Sequence, residues 1–125
     1  MASLLSPRPL ILVLEPEVLS KHGVMQALQT QDWGGDVVDV SQIPGPLQTD
    51  ALVALVVLGF SEDMADNRIR LQRTQQQYPG TVVMGICPRV SYAERCALLD
   101  AGVGFLLEKP FFVDECVSVI RAVLR

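Results

Sequence analysis

The sequence predicts a doubly wound α/β domain: five parallel strands in the order 2-1-3-4-5 with helices on both faces. Three observations carry this. Short apolar runs at 10–14, 51–58 and 105–107 read as strands buried on both faces. Amphipathic segments with recognisable stops alternate with them. Right-handed crossovers between such units then wind helices over both faces of one sheet.

In order, residues 1–8 form a disordered lead-in that Pro7 and Pro9 keep extended. Leu10–Leu14 is the first strand. Pro16 suits a first helical turn, and the helix runs to about Thr30 with a loose stripe of Val18, Val24, Met25 and Leu28. Gly23 in mid-helix costs about 1 kcal/mol against alanine, which implies close packing there. Trp33-Gly34-Gly35 is a loop, with Trp33 either an anchor or a partner contact, and Asp36–Val40 is a strand near the sheet edge. Pro44 and Pro46 leave no room for a proper helix between 41 and 50, so the second helix of the pattern is shortened or missing.

Ala51–Leu58 is the most apolar strand and must be central; Gly59-Phe60-Ser61 is its exit loop. Ser61 is a candidate N-cap, with Glu62 and Asp63 suited to the helix dipole. That helix reaches about Gln77, and Tyr78-Pro79-Gly80 ends it. Thr81–Ile86 is a strand. Ser91 and Glu94 make a capping box that opens a helix to Ala101, and Gly102 sits where a C-cap takes positive φ. Phe105–Leu107 is the last strand, ended by Lys109-Pro110, and Phe112–Leu124 is the last helix.

The 125 residues suit one domain. Half are hydrophobic and 19 % are charged, enough for a core. A net charge of −4 gives no electrostatic case for nucleic-acid binding. The longest apolar run, 51–60, is half of the roughly 20 residues that span a membrane, and the first residues lack the pattern of a signal peptide. Cys87, Cys96 and Cys116 are an odd set with no C-x-x-C, which favours a reducing, cytoplasmic setting and core packing over a disulfide or zinc site. His22 has no second ligand at metal spacing, so no metal site and no cofactor are expected. Asp66 and Arg70 stand at i,i+4 on a solvated helix face.

Ile11-Leu12-Val13-Leu14-Glu15-Pro16-Glu17, Tyr78-Pro79-Gly80-Thr81-Val82-Val83, Leu99-Asp100-Ala101-Gly102 and Lys109-Pro110-Phe111 together resemble response-regulator receiver domains, a flavodoxin-like fold, over nearly the whole chain. The spacing from Glu15 to Gly23 is similar to receivers that precede LuxR-type DNA-binding domains. The resemblance implies a magnesium-assisted aspartyl phosphorylation site: two acids after the first strand, an aspartate after the third, a hydroxyl after the fourth and a lysine after the fifth. The acid pair is here Glu15 and Pro16. The acceptor position falls on Leu58 or Gly59, and neither takes a phosphoryl group. The hydroxyl position falls on Cys87. The aromatic of the fifth strand is Phe105, with Leu106 at the expected place. Glu15, Cys87 and Lys109 are therefore a vestigial pocket in a degenerate, non-enzymatic pseudo-receiver with no catalytic residue. A residual anion or metal site at Glu15 and Lys109 is weighed against a leftover ion pair, and the ligand count favours the pair.

Val113, Cys116, Val117, Ile120 and Leu124 make a stripe on the last helix, and Phe112, Val119 and Val123 widen it beyond one sheet face. These three are the interface candidates for a protein partner or a homodimer. The resemblance implies the same face, built from the family's fourth helix, fifth strand and fifth helix. The expected function is phosphorylation-independent signalling by protein contact. One alternative is the regulatory domain of a DNA-binding regulator whose effector domain is not in this chain. Another is a small-molecule binder on the same fold, but Gly34-Gly35 precedes a strand and opens no helix, so the phosphate-cradling signal is missing.

Overall fold

A computed structural model describes residues 8–31, 33–40 and 51–124. Its elements run β1 (Leu10–Leu14), α1 (Val18–Gln29), β2 (Asp36–Asp39), β3 (Val53–Gly59), α2 (Met64–Gln77), β4 (Val82–Cys87), α3 (Tyr92–Asp100), β5 (Phe105–Glu108) and α4 (Val113–Val123). The strands form one parallel sheet in the order β2-β1-β3-β4-β5, as the sequence predicts. The expected loop around Pro44 and Pro46 and the lead-in before Arg8 lie outside the described residues.

Strand alternation sorts the core onto two faces. Ile11, Val13, Leu55, Val57, Met84, Ile86 and Leu107 pack with Val24, Ala27 and Leu28 of α1 and Cys116 and Ile120 of α4. Leu12, Val56, Leu58, Val83 and Cys87 pack with Leu71 of α2 and Leu98 of α3. Burying a leucine or isoleucine from either layer is worth about 1.5–3 kcal/mol against leaving it exposed.

Local chemistry explains most of the boundaries. The Ser91 and Glu94 side chains form the expected reciprocal box at the start of α3. Gly102 follows α3 with φ +112°. A Cβ on Gly23 would stand 3.2 Å from the Phe111 ring, the close approach that a mid-helix glycine implies. Trp33 is partly buried: its indole lies over Gly35 and packs against the α1/α4 face.

Three expectations change. The cap of α2 is Asp63, whose carboxylate accepts from Asp66 N–H at 3.1 Å. Ser61 is instead held by Asn67, which is fully buried; Asn67 Oδ1 accepts from Ser61 N–H at 2.8 Å and its Nδ2 donates to Ser61 O at 2.8 Å. Val18, the first residue of α1, does not join the buried stripe: it is 71 % exposed. Asp66 and Arg70 make no ion pair; Arg70 lines a cleft at the carboxyl edge of the sheet.

Burial raises two of the three thiols. Desolvation pushes Cys116 up to about 12. It raises Cys87 as well, and the nearby Glu108 charge adds to the rise. Both behave as small buried hydrophobes, as expected. No helix among the described residues is long and apolar enough to cross a membrane.

Candidate functional site

The carboxyl ends of the strands in an open α/β sheet are where ligands bind. Here the ends of β1, β3 and β5 meet at an open cleft of about 320 Å³. Its floor is Glu15, Gly59 and Lys109, and Glu17, Ser61 and Arg70 stand around it.

Glu15 leaves β1 inward and is 1 % exposed. Its Oε1 accepts from Glu17 N–H at 3.0 Å. Its Oε2 has no hydrogen-bond donor, but Lys109 Nζ stands 3.3 Å away as a charge contact. Lys109 also donates to Glu17 Oε2 at 3.3 Å, and its backbone N–H is tied to Cys87 O at 2.8 Å. The ammonium thus bridges a buried and a half-exposed carboxylate. Glu17 is held below the usual carboxylate range, first by the Ser20 hydroxyl and then by the Lys109 charge. A depressed acid contributes stability above its ordinary value of 4.5 and loses it as pH falls through the lowered one. Glu17 is mostly exposed, so this contribution is small.

Of the two acceptor candidates, Gly59 is the one that opens on the cleft. Leu58 points the other way, into the α2/α3 layer, and is 2 % exposed. A Cβ built on Gly59 would meet all three atoms of the Glu15 carboxylate, at 2.7, 2.8 and 2.9 Å.

Glu15 and Lys109 meet as expected, but Cys87 does not join them. The β3–β4 register sets Ile86 beside Gly59, and the next residue alternates to the opposite face. Cys87 therefore turns into the α2/α3 layer, where its Sγ lies 3.9 Å from Leu107 O. The residue beside Gly59 is thus a fully buried isoleucine with no hydroxyl.

The side chains do not fit magnesium. Pro16 offers no side-chain oxygen, and the Lys109 ammonium sits against both nearby carboxylates, where it repels a second cation. Among the described residues no group of three or more His, Cys, Asp or Glu side chains is placed to hold a metal.

Of the interface candidates, Phe112 is 79 % exposed at the N-cap of α4. Val119 and Val123 are half-buried and pack against the α1/α4 core. By helical spacing they lie on the flank of α4 opposite Arg121, which reaches Gln31 just past the end of α1. Arg95 of α3 pairs with Glu108 of β5 and ties those two elements together. Neither this pair nor the Asn67 brace has a sequence signature; both depend on how the helices dock.

No protein-family model matches the chain. It is 30 % identical over 115 residues, 92 % of its length, to the transcriptional regulatory protein BasR of Escherichia coli strain K12. It is 25 % identical over the same share to the transcriptional regulatory protein PmrA of Pectobacterium parmentieri. The chain spans about half, 52 %, of the length of each of these two relatives. Its fold superposes on the crystal structure of a response regulator from Thermotoga maritima with a TM-score of 0.70 at 16 % identity, covering 96 % of this chain and 98 % of that one.

Proposed function

We propose that this chain, a receiver domain of the response-regulator type by its fold and its sequence likeness, signals by protein contact without aspartyl phosphorylation. The observation that carries the reading is Gly59. At the strand end that faces the cleft there is no side chain to accept a phosphoryl group, and a neighbouring carboxylate stands in that space. Pro16 and Ile86 remove two further parts of the chemistry. What is left is a lysine satisfied by internal carboxylates. The domain is then a non-enzymatic, one-state module. The face made by α3, β5 and α4 meets a protein partner or a second copy, with Phe112 its most exposed apolar side chain.

The test is an intact mass after incubation with acetyl phosphate and magnesium. The expected spectrum shows the unmodified chain. A stable gain of one phosphoryl mass mapped to residues 58–63 sinks the reading.

A second reading is supported by the two relatives, both named transcriptional regulatory proteins and both about twice as long as the matched segment. The domain is then the regulatory part of a DNA-binding regulator, of the LuxR-type arrangement that the Glu15-to-Gly23 spacing suggests or of another. The reading frame around this segment decides between a free-standing domain and a regulator.

A further inference from the structure

Gly59 does not need to be glycine for its backbone. It is the last residue of β3, in parallel register with Ile86, and it is not among the glycines with positive φ, which among the described residues are Gly34, Gly80 and Gly102. An L side chain suits such a backbone. What forbids one is the Glu15 carboxylate, whose Oε2, Cδ and Oε1 all lie under 3.0 Å from the position a Cβ would take.

The carboxylate is not free to withdraw. Oε1 is bonded to Glu17 N–H at 3.0 Å, Oε2 faces the Lys109 ammonium at 3.3 Å, and the residue is 1 % exposed. Both oxygens are engaged, so moving the group breaks a hydrogen bond and an ion contact together. Oε2 has no other donor, which makes Lys109 its one countercharge among the described residues.

We propose that Glu15 is an intramolecular plug: its carboxylate fills the volume of a residue-59 side chain and serves, together with Glu17, as the built-in anion of Lys109. The plug covers a latent anion site. Lys109 is the cation at the floor of the cleft, and a tetrahedral oxyanion such as phosphate would find it already neutralised and its approach filled. This rests on the proposed function and deepens it. The pocket is silent because a residue occupies it, as well as because an acceptor is missing, and putting a carboxylate back at position 59 does not by itself reopen it.

The inference predicts coupling between positions 15 and 59. Gly59→Ala in the native background forces a methyl into the carboxylate, and the expected drop in Tm is roughly 5–15 °C. In a Glu15→Ala background the same substitution has space, and the expected drop is under about 3 °C. Glu15→Gln keeps the volume and removes the charge, so in that background Gly59→Ala remains as damaging as in the native protein. If Gly59→Ala alone fails to fold, a folded Glu15→Ala/Gly59→Ala variant supports the plug. Equal losses in the native and Glu15→Ala backgrounds, or failure of both to fold, overturn it. A titration with inorganic phosphate, followed by amide NMR shifts at Lys109, tests the latent site. Because Glu17 also pairs with Lys109, the titration uses Glu15→Ala/Glu17→Gln, which frees the ammonium; saturable shifts are expected in that variant and none in the native chain. Saturable binding by the native chain, or none by Glu15→Ala/Glu17→Gln, contradicts the covered site. These readouts do not depend on phosphoryl transfer, so the plug and the phosphorylation-independent reading can fail separately.

Discussion

Replacing Lys109 by methionine lowers stability by about 3 kcal/mol, which in a domain of this size is a fall of roughly 10 °C in Tm. Methionine keeps most of the apolar stem, so the loss reports charge rather than packing. The cause is Glu15. Its carboxylate is 1 % exposed, and with Lys109 removed Oε2 keeps neither a hydrogen bond nor a countercharge. Breaking one half of a buried pair costs far more than the pair contributes, because the surviving charge has lost its water without gaining a partner. Glu15→Gln, which leaves Lys109 its second carboxylate at Glu17, costs about 1 kcal/mol or less. The double variant Glu15→Gln/Lys109→Met recovers most of the loss. Urea denaturation of the three variants measures this, and a Lys109→Met variant as stable as the native protein shows that the pair does not carry the pocket.

The second large effect separates fold from surface on α4. Val119→Glu destabilises the domain by about 2–3 kcal/mol, because Val119 is half-buried against the core and the new carboxylate has no partner there. Phe112→Glu stays within about 0.5 kcal/mol of the native protein, since that ring is 79 % exposed. From the contact face proposed above, the same substitution is expected to weaken self-association or partner binding at least about tenfold, the effect of losing an aromatic anchor. Sedimentation velocity, with circular dichroism as the folding control, reads both. Unchanged association of a folded Phe112→Glu variant rules the α3–β5–α4 face out.

Much of the scaffold was legible because each signal was local. The apolar runs at Leu10–Leu14 and 51–58, the Ser91–Glu94 box and Gly102 name their structures through pattern and backbone chemistry alone. Gly23 announced a close contact, though not that Phe111 makes it. The site was less legible because it turns on alternation and register. Whether Leu58 or Gly59 faces the cleft depends on where β3 ends, and a shift of one residue moves a side chain to the other face. The same rule hid that Ile86, not Cys87, stands beside Gly59. Ser61 and Asp63 are equally good caps on paper, and Asn67, six residues on, decides between them by taking Ser61. The widened stripe of Phe112, Val119 and Val123 does not say which of the three packs on the core, because helix rotation against the sheet is not written in it. The meeting of Glu15 with Gly59 joins the ends of two strands more than forty residues apart, and no spacing records it.

The most direct test of the proposed phosphorylation independence is an amide NMR spectrum recorded with magnesium and beryllofluoride, which together imitate a phosphorylated aspartate. The expected result is no saturable shift at Glu15, Gly59, Lys109 or along α3, β5 and α4. Saturable shifts that begin at Gly59 and Lys109 and extend to Phe105 and Phe112 would contradict it and identify a working switch.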